Sequence, residues 1–229
     1  MIQKDVDQWN QLIDHLSERG VLKTLHIIQA MRKVPRGLFI PKQSIEYASM
    51  DAPLPIGMGQ TVSAPHMVAI MNEALDLRVG HSVLEIGAGC GWHAATIGEI
   101  VAPKEAPRSE RGHVYTMEIV AELAGRAREN IMRQGFGDRV TVINDDGSAG
   151  YPEKSPYERI LMTAAAPKIP PPFLEQLKVG GILIAPVGNI HLFQSLIRVT
   201  KKSDGNVTEE NLGGVAFVPL TGEFGHKIK

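Results

Sequence analysis

Cysteine is nearly absent from this sequence: Cys90 is the single one in 229 residues. One thiol closes no internal disulfide, so a reducing compartment, the cytoplasm, is the expected setting. Net charge is nearly absent too, at −1, which leaves no basic field to draw the chain onto nucleic acid or an anionic membrane. No uncharged apolar run is long enough to span a bilayer. The start, Met1 to Asp7, mixes charges where a signal peptide would carry an apolar stretch. Neither nucleic acid nor membrane is expected as a partner, and a monomer is expected. No metal is expected either, since His15, His26, His81 and His93 show no ligand spacing with Cys or carboxylates.

What is present is patterning, over a length that suits one large domain with a buried core or two small ones. Trp9, Leu12, Ile13 and Leu16 recur at helical spacing, and Gly20 is placed to end that helix. A second helix is predicted from Thr24, with Leu25, Ile28 and Met31 on one face, stopped by Val34-Pro35-Arg36. Residues 41–60, with Pro53, Pro55, Gly57 and Gly59, read as an ordered irregular loop. Ser63-Ala64-Pro65-His66 then opens a helix through Met67, Ile70, Met71 and Leu75. From residue 81 strands and helices alternate. Strands are predicted at 82–86, 114–118, 140–143, 159–162 and 181–186, and helices at 91–101, from 120 to near Gly135, and at 173–177. Late strands at 192–200 and 215–218 have no helix between them. Repeated strand–helix units imply an α/β fold, a parallel sheet covered on both faces, and the final strands suggest an antiparallel edge or an extension. Residues 102–112 carry two prolines and several charges and read as a surface insertion.

The turn Gly87-Ala88-Gly89-Cys90-Gly91 lies between the first sheet strand and its helix. Glycines there allow a tight turn and close approach of backbone to a ligand. A dinucleotide fingerprint would put its third glycine at position 92; Trp92 stands there and would crowd helix against strand. Glu85, just before the turn, suits a cationic methionine moiety better than a pyrophosphate. Glu118 ends the next strand, where it can accept from two ribose hydroxyls. It lies about thirty residues past Gly87 rather than roughly twenty, an excess that the 102–112 insertion accounts for. Asp146-Gly147 follows the strand after that, where an Asp can reach an adenine amino group; Asp145 is the alternative. Acidic-x-Gly-x-Gly-x-Gly resembles motif I of class I methyltransferases.

Upstream, residues 51–67 read DAPLPIGMGQTVSAPHM. This block resembles the signature of protein-L-isoaspartate O-methyltransferases, close to PLPIG-x-GQT-[IV]-S-x-PHM. Val34-Pro35-Arg36-x-x-Phe39, Ala164-Ala165-Ala166-Pro167, Leu177-Lys178-x-Gly180-Gly181, Pro186-Val187-Gly188 and Phe217-Val218-Pro219-Leu220-Thr221 agree with the same family. The resemblance covers roughly residues 22 to 222. Trp92 departs from it, standing where bacterial and archaeal members usually carry Tyr.

The resemblance implies a Rossmann-like class I methyltransferase fold, with a mostly parallel seven-stranded sheet, helices on both faces and an N-terminal helical extension. The single domain would divide into an extension for substrate at 1–80, a cofactor core at 81–201, and a C-terminal strand and tail at 202–229. It implies S-adenosyl-L-methionine as cofactor and isoaspartyl-containing proteins and peptides as partners, methylated on the free α-carboxylate. Ser63 would be the catalytic-site serine. Gln60, Thr61, Val62, His66, Glu85, Gly87, Gly89, Gly91, Glu118, Ile119, Asp146, Gly147 and Thr221 would bind the cofactor. Read in isolation, Ser63 is a helix N-cap ahead of Ala64-Pro65, Met58, Met67 and Met71 pack the core, and Cys90 packs on a helix. The competing readings are an O-methyltransferase of another carboxylate or small molecule, a binding module that keeps the fold as scaffold, and a nicotinamide reductase.

Overall fold

Trp9, Ile13 and Leu16 recur every three to four residues and all three are buried, which seats helix α1 (Gln3–Glu18) by one face. The structure, a computed structural model, describes residues 3–189 and 193–227. Helix α2 (Leu25–Lys33) buries Ile27, Ala30 and Met31 and leaves Leu25 exposed, so its inner face is rotated from the one predicted. The rotation is set at the N-terminus. There the carboxylate of Glu73 accepts both the amide of Thr24 at 2.8 Å and its hydroxyl at 2.6 Å.

Residues 41–60 are more regular than their Pro and Gly content suggested. A 3-10 turn spans Lys42–Tyr47, and strands β1 (Leu54–Gly57) and β2 (Gln60–Val62) form an antiparallel hairpin. Leu54 and Ile56 point inward and Pro55 outward, a position that a two-stranded ribbon tolerates for proline. Met58 sits at the tip with φ +53 and is half exposed, contrary to the expected core role. Met67 is half-buried and Met71 fully buried. Helix α3 (Pro65–Ala74) has Ala64, not Ser63, at its N-cap and no side-chain cap there. Asp51 takes over, its carboxylate accepting the His66 amide at 2.9 Å.

Strand β3 (Ser82–Ile86) is buried on both faces from Val83 onward, as the centre of a parallel sheet must be. Helix α4 (Trp92–Val101) follows, then β4 (His113–Met117), helix α5 (Ala121–Arg133), β5 (Val140–Ile143), β6 (Tyr157–Met162), helix α6 (Pro171–Gln176) and β7 (Leu177–Gly188). Strands β8 (Gln194–Lys201) and β9 (Val207–Val215) complete a seven-stranded sheet of order β5-β4-β3-β6-β7-β8-β9. The first five strands pair in parallel, and the β7–β8 and β8–β9 pairs are antiparallel. β9 lies earlier than the predicted 215–218. Those later residues are held differently: the Gln194 side chain accepts the amide of Phe217 and donates to its carbonyl. The predicted start of β8 at Leu192 lies outside the described residues.

Every residue of α4 is buried, because the sheet covers one side and the N-terminal extension the other. Trp92 is the joint. Its Nε1 donates to the Val34 carbonyl at 2.8 Å, and its ring meets Trp9 edge-on at 5.8 Å. The bulk that crowds a dinucleotide site is accommodated here by the extension. The 102–112 insertion joins the same contact, with Lys33 bridging Glu105 at 2.9 Å and Glu99 at 3.0 Å. Among the described residues no helix is long and apolar enough to cross a membrane.

Candidate functional site

The strands β3, β4, β5 and β6 all run to the same edge, and a cleft opens beyond their carboxyl ends. That is where an α/β sheet binds ligands. The glycine turn forms its floor. The amides of Gly87 and Ala88 both donate to the Met117 carbonyl, at 2.8 and 3.0 Å, so the turn is locked to the end of β4. Gly87 has φ +99, and a Cβ there would lie 2.2 Å from Thr163 Oγ1. That hydroxyl donates to the Gly87 carbonyl at 2.7 Å from the end of β6. No side chain at position 87 is compatible with this prop.

Glu118 stands just past β4 with its carboxylate buried in the wall. Oε2 accepts the Gly89 amide at 2.9 Å and Oε1 the Val120 amide at 3.0 Å. A carboxylate offers about four acceptor positions, so the two oxygens retain capacity for a pair of neighbouring hydroxyls. Ile119, 44% exposed, and Gly147 lie on either side of the space beyond. A Cβ on Gly147 would meet Met117 at 3.0 Å and Ile86 at 3.1 Å, so a side chain there would press on the ends of β4 and β3. Gln60, Thr61, Val62 and Ser63 form the opposite wall, and Val218, Pro219, Leu220 and Thr221 the roof. The roof is carried by β-like pairing: Ala165 donates to Val218, and Leu220 to Ala165, both at 2.8 Å.

Four of the predicted cofactor residues do not line this cleft. Glu85 is fully buried beneath the turn, where Oε2 accepts from Thr116 Oγ1 at 2.5 Å and Oε1 has no hydrogen-bond partner, 3.6 Å from His93 Nδ1. Burial pushes its pKa up to about 8, against the Thr116 bond that pulls it down, so it is a neutral acid near pH 7. Gly91 is the left-handed N-cap of α4 and packs against Ala127 and Ile131 of α5. His66 holds the Asp51 carboxylate with its amide and Nδ1, both at 2.9 Å, and faces an adjoining outer cleft. Asp146 turns its carboxylate to the backbone, accepting Ser148 N and Glu223 N, both at 2.8 Å. Burial would raise its pKa, but these bonds bring it below the usual value. Asp145 is exposed and among the described residues accepts only the Asp146 amide, so Asp146 is the one that shapes the wall.

Ser63 belongs to both clefts. The outer cleft shares Thr61, Ser63, Thr163 and Val218 with the inner one. Among the described residues no group hydrogen-bonds the Ser63 hydroxyl; its carbonyl accepts from Arg36 Nη1 at 3.1 Å. A ligand in the inner cleft and a second molecule in the outer one would therefore meet at Ser63.

Thr163 and His93 were not singled out from the sequence. A polar residue directly after the apolar run Ile160-Leu161-Met162 marks a strand's carboxyl end, and that signal was available for Thr163. His93 lines the inner cleft and its Nε2 donates to Asn72 Oδ1, 3.0 Å away; burial pushes its pKa down to about 3, so it is neutral. Nothing in the pattern distinguished it. Cys90 is buried, and burial drives its thiol up to about 11, consistent with packing rather than nucleophilic chemistry. Among the described residues no group of three or more His, Cys, Asp or Glu is placed to hold a metal ion.

These features can be set beside known proteins. The profile of the family described as protein-L-isoaspartate(D-aspartate) O-methyltransferase matches residues 7–225. A protein-L-isoaspartate O-methyltransferase of Hyperthermus butylicus is 52% identical over 94% of this chain and 89% of its own length. One from Thermococcus sibiricus is 50% identical over 95% of each chain. Among solved structures, a Plasmodium falciparum protein assigned as a protein-L-isoaspartate O-methyltransferase, in complex with S-adenosyl-L-homocysteine, superposes with a TM-score of 0.81 at 25% identity. The match covers 93% of this chain and 98% of that one. A second protein-L-isoaspartate O-methyltransferase superposes at 0.83 with 29% identity, over 94% of this chain and 66% of the other.

Proposed function

The chain belongs to the protein-L-isoaspartate(D-aspartate) O-methyltransferase family, and we propose that it carries out protein repair with Ser63 at the point of methyl transfer. The reaction places a methyl from S-adenosylmethionine on the free α-carboxylate of L-isoaspartyl residues in damaged proteins and peptides. The observation that carries the site assignment is the position of Ser63 in the wall common to the inner and outer clefts.

S-adenosylmethionine supplies, when bound, an electrophilic methyl group on a sulfonium. The residues of the inner cleft fit it: Glu118 offers acceptors to the ribose hydroxyls, Gly87 and Gly89 let backbone approach, and Ile119 and Gly147, which line the same cleft, would take the base. The substrate carboxylate is already ionised at neutral pH, so no strong general base is needed. The free Ser63 hydroxyl donates to the carboxylate and aligns it, while the Val218–Thr221 roof keeps water out of the junction. Asp146 acts through the roof and Gly147 rather than by direct contact, and Glu85 and Gly91 act by holding the turn.

Methyl transfer to a matched pair of peptides, one with isoaspartate and one with aspartate at the same position, tests the assignment. Incorporation into the first alone is expected. Equal labelling of both, or labelling of neither while a small carboxylic acid is methylated, would overturn it. The lone thiol supports a cytoplasmic setting, and a monomer is the expected result in sedimentation.

A further inference from the structure

Arg36 is wholly buried, yet among the described residues no carboxylate pairs with it. Each of its five N–H donors goes to a backbone carbonyl instead. Nε donates to Ala48 at 3.1 Å; Nη2 to Tyr47 at 3.3 Å and Met50 at 2.6 Å; Nη1 to Ala52 at 2.7 Å and Ser63 at 3.1 Å. Burial lowers its pKa to about 10, which leaves it charged at neutral pH. Burying a cation without a counterion is unfavourable, and here only the five accepting carbonyls offset that cost. A fully satisfied buried fork does, however, fix the relative position of every segment that it touches.

Two of those contacts matter for the reaction. Ala52 precedes β1 and Ser63 follows β2, so a single nitrogen, Nη1, closes the neck of the hairpin that supplies Gln60, Thr61 and Val62 to the inner cleft. The guanidinium also lies 5.8 Å from the centre of the Trp92 ring, at the first residue of the helix that follows the glycine turn. Arg36 itself touches neither cleft. It ties the serine's backbone on one side to the cofactor helix on the other.

We propose that Arg36 is a positioning residue for methyl transfer, setting the distance of Ser63 from the cofactor cleft; this rests on the placement of Ser63 at the point of transfer. The interaction is specific to a planar five-donor fork. Lysine at the same place has three donors on a point charge and cannot hold five carbonyls from the two sides of the neck.

The test compares Arg36→Lys, Ser63→Ala and the double variant on a synthetic isoaspartyl peptide, with S-adenosylhomocysteine affinity read by calorimetry. Arg36→Lys is expected to lower kcat at least about tenfold, because displacements of an ångström suffice for such losses, while the S-adenosylhomocysteine Kd stays within about twofold. In the Ser63→Ala background the same substitution should change kcat by less than about twofold, since the group it positions is gone. Arg36→Gly assayed with added guanidinium ion provides a second reading: partial recovery of kcat is expected, which a diffuse loss of stability would not give. Equal losses in kcat and affinity, full multiplication of the two single effects, or no guanidinium response overturn the inference. An Arg36→Lys enzyme with full kcat overturns it alone. A Ser63→Ala enzyme with full kcat overturns the placement of Ser63 and this inference with it.

Discussion

The carboxylate of Glu118 accepts the amide hydrogen of Gly89 at 2.9 Å, joining the end of β4 to the middle of the glycine turn. The same group that we propose for the ribose therefore also sets the shape of the turn. Glu118→Gln keeps one acceptor oxygen and removes the charge. It is expected to weaken S-adenosylhomocysteine binding about 10- to 100-fold, the loss associated with charge-assisted hydrogen bonds worth about 1.5–3 kcal/mol. Calorimetric titration reads this directly, and an unchanged Kd would remove Glu118 from the cofactor's contacts.

Ser63→Ala deletes a hydroxyl that caps no helix and bonds no neighbour among the described residues. Its loss should leave the unfolding midpoint and the S-adenosylhomocysteine Kd nearly unchanged. kcat on an isoaspartyl peptide is expected to fall about 10- to 100-fold, again one hydrogen bond to a charged group. Comparable losses in kcat and in cofactor affinity would mean that Ser63 serves the architecture of the cleft.

Gly87→Ala places a methyl 2.2 Å from Thr163 Oγ1 at φ +99. Clash and backbone strain together should destabilise the protein by about 2–5 kcal/mol. Adding Thr163→Ala leaves the nearest Thr163 atom, Cβ, at 3.6 Å, so part of the loss should return. Urea denaturation of the four proteins in this cycle decides: strictly additive effects would mean that the two side chains do not collide.

Glu85 gives the stability a pH dependence. In the unfolded chain its proton leaves near the ordinary 4.5, and in the native state only near 8. The native state therefore binds more protons across that window. The stabilisation is complete below 4.5 and is lost as pH rises to about 8. Glu85→Gln keeps an acceptor for Thr116 and cannot ionise. Its urea midpoint relative to the parent protein should be higher at about pH 8 than at about pH 5. A difference that is the same at both values would show that Glu85 ionises normally in the fold.

The alternation of strand and helix after residue 81 was legible because buried parallel strands are short apolar runs separated by glycine turns, and the family block at Gln60–Met67 was legible because its residues are contiguous. Three features were not. The β1–β2 hairpin was hidden because Pro55, Gly57 and Gly59 signal a loop, while pairing across the hairpin leaves no long periodic run. The burial of Glu85 depends on which way one strand residue points once α4 has packed over it, and an acidic residue before a glycine turn reads the same in either case. The separation of His66 from the cofactor cleft depends on Asp51, fifteen positions upstream, whose carboxylate draws the imidazole to the outer side. Proximity in sequence to Ser63 carried no information about that.

Asp146 fastens two things at once: the loop that brings Gly147 to the inner cleft and the amide of Glu223 just beyond its roof. Free energy shared through one carboxylate is reciprocal. Whatever the closed roof adds to the cofactor's affinity, the cofactor must return to the roof as protection from opening. Affinity for the methyl donor is thereby linked to the order of Glu223, a residue that does not itself line the cleft.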